Sequence, residues 1–465
     1  MIWLASLAYE AASFAYEAAS FADEASSFAA QAENFAGEPE NFAGPFSSQE
    51  REPRSREDAK SLAWRPLRPG VFAVLSFGVD PRPYTLAVHG LVLTGGGARA
   101  AYQVGVLRGI AEIKKFDRFT FRVVTGVSAG AINGVALAAW ADEDFGVATE
   151  KLWALWERLH VNQVFKTDPV SLFGIGSRWI RDLSLGGFLG AQRASYLLDT
   201  QPLRELLEKT IDFAKIDAHL AQDRLHALAV SATNYMSGTA VSFFDGHPAI
   251  EPWQRSTRIA LRERLTLDHV MASSAIPVFF PPVRVSGSFY GDGCIRLSAP
   301  ISPAIHMGAD RVLAIGIRYY RPRAMTVDLN RTVYDERISL VNVVGVLLNA
   351  VFLDSLESDH ERMERINRAV LALSEEQRAA HPDKLRHIPV VVVKPSVDLG
   401  SLASEQFDRF PLALRHLLRG LGASVDSGWD LLSYLAFDAA YTRRLLELGR
   451  ADALAMREEL LRFFG

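Results

Sequence analysis

The sequence predicts an α/β protein with a mainly parallel central sheet flanked by helices. Two observations predict this fold. The apolar run at 91–93 stops on three glycines and is followed by a helical pattern over 100–114. The same order then recurs, with β-branched residues at 121–125, a glycine turn and a helical pattern at 131–141. Strands and helices that alternate through short glycine loops are typical of parallel sheets.

Later segments extend this pattern. Apolar runs predict strands at 225–233, 240–244, 283–289, 311–317 and 388–394. The region 151–220 is predicted to be mostly helical, with a glycine-rich break at 173–190. A long helical pattern with many charges covers 341–370, and helices are predicted towards the C-terminus. We expect the strand at 388–394 to join the edge of the main sheet, so that the C-terminal part elaborates the domain.

Composition excludes some classes of function. The chain has 465 residues, a formal net charge of −4 and one cysteine, Cys294. One cysteine excludes an intrachain disulfide and a cysteine-based metal cluster, and it favours a reducing compartment. The charge gives no indication of a nucleic-acid partner. No signal peptide is evident, and no uninterrupted apolar run reaches the roughly 18 residues that span a bilayer. We expect a cytoplasmic protein, with peripheral membrane contact and oligomeric state left open.

The N-terminal part is a heptad repeat. YEAASFA occurs twice and then diverges, so that phenylalanine recurs every seven residues at positions 14, 21, 28, 35 and 42. A helix on a lipid surface or in an oligomer is one interpretation, but its apolar stripe is thin and its polar face is acidic. We favour a low-complexity extension, for which translated repeat DNA upstream of the true start would be one source. The predicted organisation is an extension and disordered linker at 1–70, a catalytic domain at 84–320 and a mostly helical C-terminal extension at 321–465.

The motif GVSAG places Ser128 between Gly126 and Gly130, after a strand and before a helix. This spacing fits the Gly-x-Ser-x-Gly nucleophile elbow, in which a strained turn presents the serine and only small residues fit two positions away. The helix that follows directs its positive end at the serine oxygen. A plain turn between a strand and a helix is the alternative.

A glycine loop, TGGGARAAYQVG, precedes this motif. Consecutive glycines allow backbone N–H groups to converge on an anion. No Lys-Ser/Thr follows, as a P-loop requires, and Ala100 occupies the third glycine position of a dinucleotide-binding loop. The alternative is an oxyanion hole formed by Gly95, Gly96 and Gly97. Arg99 would then hold the loop or attract a phosphate headgroup, unless it is a solvated residue at the start of a helix.

A nucleophilic serine requires a residue that accepts its proton. None of the histidines after Ser128 is compelling, and His306, the best of them, has the apolar setting of a packed side chain. Asp292 lies between two glycines at the end of a strand in SFYGDGC. A carboxylate within reach of a serine can accept its proton without an imidazole. An Asp-Gly turn is the alternative for this residue alone.

These three motifs in this order resemble the patatin-like phospholipases, over residues 91–317. The matching pieces are GGGAR, GVSAG and the Asp-Gly pair at Asp292, and ASSAIPVFFPPV before the last is also similar. Two residues depart from the family pattern, namely Ala100 and Cys294, which stand where a glycine and an alanine or glycine are usual. Alanine would be strained by about 1 kcal/mol if its φ were positive.

The resemblance implies a serine hydrolase of lipid esters that uses a Ser–Asp dyad and no cofactor or metal. Ser128 would be the nucleophile and Asp292 the base, while Gly95, Gly96, Gly97 and Arg99 would line or support the oxyanion hole. The lipid or phospholipid substrate is the expected partner, and Phe279 and Phe280 are candidates to line an acyl site. A catalytically weak or inactive lipid-binding or scaffold module is the alternative, and a nucleotide-binding protein is a more distant one.

Overall fold

A computed structural model describes residues 87–465, apart from 117, most of 169–195, 333–337, 382–384, 404–405, 407–408 and 421–427. All the described residues belong to one compact unit, Val74–Gly465. The predicted N-terminal repeat and linker, and most of the glycine-rich break at 173–190, lie outside the described residues.

A ten-stranded mixed sheet forms the centre of the described part of the chain. Its strands are β1 His89–Leu93, β2 Phe121–Val127, β3 Ala227–Asn234, β4 Ala240–Gly246, β5 Gln254–Arg255, β6 Arg258–Arg262, β7 Val283–Val285, β8 Ser288–Asp292, β9 Arg311–Ile315 and β10 Val390–Val393. The order is β10-β9-β1-β2-β3-β4-β6-β5, and the first five strands in this order are parallel. Strand β4 is antiparallel to β3, and β8 pairs antiparallel with the end of β3.

Helices cover both faces of the sheet and make up most of the C-terminal region. They are α1 Ala101–Ile113, α2 Ala129–Ala139, α3 Phe145–Glu157, α4 Gln201–Thr210, α5 Phe213–Ala221, α6 Leu267–Ser273, α7 Ser302–His306, α8 Arg323–Arg331, α9 Leu340–Phe352, α10 Asp354–Ala372, α11 Glu375–Ala380, α12 Leu399–Ala403, α13 Leu412–Gly420, α14 Trp429–Leu435, α15 Ala439–Ala455 and α16 Arg457–Phe464.

The central strands are buried on both faces, which explains their continuous apolar runs. In β1, Leu91 and Leu93 belong to one buried apolar cluster, whereas Val92 belongs to a second cluster. Successive side chains of a strand point to opposite faces, so the sheet separates two cores. The predicted α/β fold with a mainly parallel sheet is confirmed, and β10 pairs with β9 at the sheet edge as expected.

Two segments differ from the prediction. The strand predicted at 283–289 is a hairpin of β7 and β8, because Ser286 and Gly287 adopt positive φ angles of 46° and 90° and reverse the chain. The helix predicted at 341–370 is interrupted at Leu353, which separates α9 from α10. The stretch Val341–Ala372 is long and apolar enough in composition to cross a membrane, with a mean hydropathy of 1.4 in its most apolar window. A third of that window is buried, and core helices of soluble proteins meet the same criterion.

The parallel register brings three loops together. Strand β1 pairs residue for residue with β9 and ends beside β2, so the loops after Leu93, Val127 and Ile315 leave the same edge of the sheet. In open α/β sheets, ligands bind at the carboxyl ends of the strands. The glycine loop and Ser128 both follow strands that end at this edge.

Candidate active site

Ser128 occupies the turn between β2 and α2 in a strained conformation. Its φ and ψ angles are 56° and −133°, outside the regions that most residues with a side chain adopt. Only glycine fits on either side, because a Cβ at Gly130 would overlap the Leu93 carbonyl oxygen and one at Gly126 would overlap Ala131. The geometry is that of a nucleophile elbow, in which a side chain is presented at the first turn of a helix.

A serine pair that the sequence analysis did not single out fixes this turn. The Ser128 backbone N–H donates to Ser273 Oγ at 2.9 Å, and Ser273 Oγ donates to the Ser231 carbonyl oxygen at 2.6 Å. Ser274 Oγ donates to the Ser128 carbonyl oxygen at 3.3 Å and also to the Val270 carbonyl oxygen at 2.9 Å. These bonds hold the Ser128 backbone from both sides, so the strained conformation is maintained by α6 and β3.

Asp292 is brought to Ser128 by the pairing of β8 with β3. The side chain is fully buried, and its Oδ1 accepts a hydrogen bond from the Cys294 backbone N–H at 2.9 Å. Its Oδ2 is buried and accepts no hydrogen bond of normal geometry from the described residues. The strand register places Ser128 beside Asp292, since Val127 pairs with Ser231 and the next residue of β3, Ala232, pairs with Asp292. The nearby Ser128 hydroxyl acts to lower the pKa of Asp292. Catalytic hydrogen bonds are often long in the absence of substrate.

The pKa of Asp292 suits a general base. Burial raises this pKa from its ordinary value to about 7, while the nearby Ser128 hydroxyl and the Cys294 amide and thiol act in the opposite direction. A base whose pKa lies near the working pH is efficient, because it is available unprotonated and still holds a proton strongly. His306, in contrast, stacks on Trp253 with 4.7 Å between ring centroids and has a pKa lowered to about 4 by burial, so it is a packed histidine.

The three loop glycines lie where side chains would not fit. A Cβ at Gly95 would overlap Cys294 Sγ and lie 2.7 Å from Ser128 Cβ, and one at Gly96 would overlap Ile317 Cδ1. Gly97 has a φ of 56°, and its Cβ would overlap the Tyr434 carbonyl oxygen. Ser128 and the glycine loop are therefore in direct contact.

Arg99 supports the loop and does not face an external anion. Its side chain is 2% exposed, Nε donates to Ser433 Oγ at 2.7 Å, and Nη2 lies 3.0 Å from Asp430 Oδ1. The guanidinium also stacks on the Tyr434 ring, 4.5 Å from its centroid. The expectation that Arg99 could attract a phosphate headgroup does not fit this geometry, because its donors are directed into α14 and away from solvent.

The two departures from the family pattern are accommodated. Ala100 has a φ of −67°, where alanine is unstrained. Cys294 is 7% exposed and packs on Gly95. Burial raises the pKa of its thiol well above the ordinary value, so the thiol stays protonated at neutral pH.

An apolar pocket begins at Ser128. Its cavity volume is about 40 Å³. Nearly all of its lining is apolar, and the residues are Gly97, Ser128, Ala129, Ile132, Leu155, Trp156, Leu159, Val164, Leu203, Leu206, Leu207, Ser274, Ile276, Phe280 and Phe437. Phe280 lines the pocket as expected, whereas Phe279 is not among the lining residues.

A series of buried hydrogen bonds connects the pocket wall to the glycine loop. Trp156 Nε1 donates to Asn133 Oδ1 at 2.7 Å, and Asn133 Nδ2 donates to Gln103 Oε1 at 3.1 Å. Gln103 Nε2 in turn donates to the Thr94 carbonyl oxygen at 2.7 Å, just before the glycine loop. The pocket wall in α3 is thereby connected to the glycine loop through α2 and α1. No sequence pattern predicts this series of hydrogen bonds, because the side chains that form it lie on separate helices.

Residues 91–305 match the family model described as patatin-like phospholipase. These residues form a patatin-like phospholipase domain. The chain is 27% identical over 214 residues to the cGAMP-activated phospholipase of Pseudomonas aeruginosa (strain BWHPSA011 / Pa011), an alignment that covers 46% of this chain and 54% of that protein. The chain thus spans about half the length of this curated relative.

Solved structures with similarity to this chain include two named proteins. VipD from Legionella pneumophila has 14% sequence identity and a TM-score of 0.28, and the match covers 78% of this chain and 67% of that one. Human GIVD cytosolic phospholipase A2, in complex with methyl gamma-linolenyl fluorophosphonate, has 13% identity and a TM-score of 0.36, with 82% and 58% covered. Similarity at this level carries no argument about the site.

Proposed function

We propose that the domain hydrolyses carboxylic esters of lipids with Ser128 as nucleophile and Asp292 as general base. The observation that carries the proposal is a strained serine that lines an apolar pocket and lies beside a buried carboxyl. The match to the patatin-like phospholipase model and the name of the Pseudomonas relative support lipid esters as the substrate class.

The first half of the reaction would transfer the acyl group to Ser128. As Ser128 Oγ bonds to the ester carbonyl carbon, Asp292 Oδ2 accepts the hydroxyl proton, since this oxygen has no other hydrogen-bond donor among the described residues. The oxyanion that forms would be stabilised by the N–H groups of Gly96 and Gly97. Collapse of this intermediate expels the alcohol, which takes the proton back from Asp292.

The second half would use water in place of the alcohol. Asp292 removes a proton from water as its oxygen bonds to the acyl carbon, and the proton then returns to Ser128 Oγ as the fatty acid leaves. The Ala129 N–H, at the first turn of α2, has no partner within the helix and also faces the pocket, so it can assist the glycine loop. This cycle uses no cofactor or metal.

The pocket lining supports a hydrocarbon chain as the group bound beside Ser128. Leucine, isoleucine and aromatic side chains surround it, and burial of apolar area contributes about 25 cal/mol per Å² to binding. Arg99 adds no positive charge to this wall, because its donors are used by α14. We therefore assign the pocket to the acyl chain and not to a charged headgroup.

The test compares the native chain with Ser128→Ala on p-nitrophenyl butyrate and on phosphatidylcholine vesicles. Because the Pseudomonas relative is named for activation by cGAMP, each assay runs with and without cGAMP. We expect hydrolysis by the native chain and a loss of at least about 10³-fold in Ser128→Ala. Full activity in Ser128→Ala would overturn the mechanism, and an inactive native chain under all conditions would favour a lipid-binding module.

A further inference from the structure

The segment that follows β9 begins and ends at the glycine loop. Ile317 packs on Gly96, and Phe352, at the end of α9, lies 3.3 Å from the position of a Cβ on Gly95. Phe352 also contacts the Tyr434 ring, with 5.2 Å between centroids. We define the docking face as the exposed sides of 318–332 and 338–352, which lie between these two anchors and include α8 and α9.

Apolar exposure is concentrated on this face. Of the seventeen exposed large apolar side chains in the described part of the chain, seven lie within 320–347. On α9, Val341 and Leu348 are buried, whereas Val343, Val346 and Leu347 are exposed by 46%, 65% and 60%. Helix α9 is therefore apolar on the side that packs on the protein and on the side that faces solvent. A helix that is apolar all round is normally covered on all sides.

Helix α8 has no buried residue at all. Isolated helices of nine residues are marginal in water, and most helical stability in proteins comes from packing an apolar face. Met325 and Leu329, one turn apart on α8, are exposed by 45% and 38%, and Tyr320 before the helix is exposed by 70%. Among the described residues, nothing buries the apolar side of α8 or the solvent-facing side of α9.

The charge of the docking face identifies the partner. Between 318 and 332 there are four arginines and one acidic residue, although the whole chain has a net charge of −4. Arg318 and Arg321 pair with Asp354 and Asp398, which leaves Arg323 and Arg331 exposed at the two ends of α8. Exposed apolar side chains beside arginines are typical of helices that lie in the interface of an anionic membrane.

We propose that the docking face seats the protein on an anionic phospholipid surface, with α8 and α9 in the lipid interface and the glycine loop beside it. The proposal rests on the proposed function in one respect, since a lipid hydrolase must reach substrate held in a bilayer. The two ends of this segment, Ile317 and Phe352, contact the glycine loop beside Ser128. A second copy of the chain is the alternative occupant.

The test measures co-sedimentation of the full chain carrying Ser128→Ala, which cannot consume the lipid. Vesicles of phosphatidylcholine are compared with vesicles that also contain phosphatidylserine. We expect the parent to bind the anionic vesicles. The double variant Arg323→Glu with Arg331→Glu should lose about 30-fold in partitioning. The double variant Val346→Asp with Leu347→Asp should bind only at background level. The control for the arginine variant is Arg365→Glu with Arg368→Glu, at two exposed positions on α10. The control for the apolar variant is Val147→Asp on α3 with Leu371→Asp on α10, both exposed. They should stay within about twofold of the parent.

Equal partitioning of the docking-face variants and the controls would overturn the proposal. The proposal would also be overturned if Val346→Asp with Leu347→Asp changed the protein from dimer to monomer and left vesicle binding unchanged. That result would assign the face to a second copy of the chain. Hydrolysis of p-nitrophenyl butyrate separates this proposal from the proposed function. Docking-face variants with Ser128 intact should keep this activity and lose activity on vesicles. If the native chain hydrolyses neither substrate but binds through this face, only the proposed function fails.

Discussion

The two sides of Ser128 come from different parts of the chain and make different kinds of contact. On the sheet side, within the 91–305 match, the Ser128 backbone N–H donates to Ser273 Oγ, and the Cys294 N–H donates to the Asp292 carboxylate. On the other side, Ile317, Phe352 and Tyr434 lie beyond the match and press on the glycine loop by van der Waals contact. The groups that would carry the chemistry and the groups that shape their surroundings therefore have separate origins in the sequence.

This difference predicts two kinds of mutant. Changes on the sheet side should lower turnover and leave the fold intact, because they remove a single reacting group. Changes on the C-terminal side should alter stability or acyl-chain preference, because they disturb packing around the loop and the pocket.

The largest effect is expected for Asp292→Asn. The amide keeps the shape and the bond from the Cys294 N–H but cannot accept the Ser128 proton, so kcat/KM should fall by about 10³-fold or more. In the native chain kcat/KM should rise as the pH passes through about 7, because only the unprotonated carboxylate acts as a base. A pH–rate profile that is flat from pH 5 to 9 would contradict this role.

The same substitution should change how stability depends on pH. Burial raises the pKa of Asp292 in the folded protein from 3.8 to about 7, so the carboxyl stabilises the fold fully below pH 3.8, and this contribution is lost as the pH rises through 7. The unfolding free energy of Asp292→Asn, relative to that of the native chain, should therefore increase between pH 5 and pH 8 by an amount on the order of a few kcal/mol. Thermal melting of both proteins across this pH range measures the difference. An unchanged difference in Tm across this range would refute the raised pKa.

Gly97→Ala tests the contact between the glycine loop and α14. The added methyl meets the Tyr434 carbonyl oxygen and strains a φ of 56°, so we expect a loss of about 2–4 kcal/mol in unfolding free energy. Gly238→Ala is the control, because Gly238 has a similar φ of 65° but open space around it, and it should lose only about 1 kcal/mol. Equal losses in urea unfolding would show that the contact with α14 contributes nothing.

Asp430→Asn probes the ion pair that joins α14 to the loop. It removes the negative charge that pairs with the buried Arg99 guanidinium, while the bond to Ser433 remains, at a cost of about 1–3 kcal/mol in unfolding free energy. Asp354→Asn removes the partner of Arg318, where both side chains are nearly half exposed, and should lose less than about 1 kcal/mol. If both variants unfold at the same urea concentration, the Arg99 pair has no structural role.

The smallest effect is expected for Phe437→Leu in the pocket. Phe437 is 6% exposed and contacts Trp156, with 6.4 Å between ring centroids. A smaller side chain enlarges the acyl site, so the ratio of kcat/KM for long over short p-nitrophenyl esters should rise by about 3- to 10-fold. Val397→Ala, outside this pocket and 41% exposed, is the control and should leave the ratio unchanged.

The sequence predicted the sheet side far better than the C-terminal side, for a physical reason. Strained turns and close backbone contacts require glycine, so GGGAR, GVSAG and the Asp-Gly pair are visible as local patterns. Arg99 was found by the same pattern, but its partners Asp430 and Ser433 lie more than 300 positions away. The packing of Tyr434 on Gly97 uses a backbone carbonyl, which any residue type would supply, so no sequence pattern encodes it.

The fold shows the same distinction. Strands buried on both faces are continuous apolar runs, and all but one of those predicted are present as single strands. The exception, 283–289, contains a Ser-Gly turn with positive φ angles, across which β7 and β8 pair as a hairpin. The short strands β5 and β6 carry mixed polar and apolar residues at the sheet edge, and no strand was predicted there.

The most direct test of the central claim is covalent labelling of the native chain with a fluorophosphonate, followed by peptide mass mapping. We expect one adduct per chain, on Ser128. Labelling of Asp292→Asn, which lacks the base, should be at least about 10²-fold slower. An adduct on another serine, or labelling of Ser128 at the native rate in Asp292→Asn, would contradict the Ser128–Asp292 dyad.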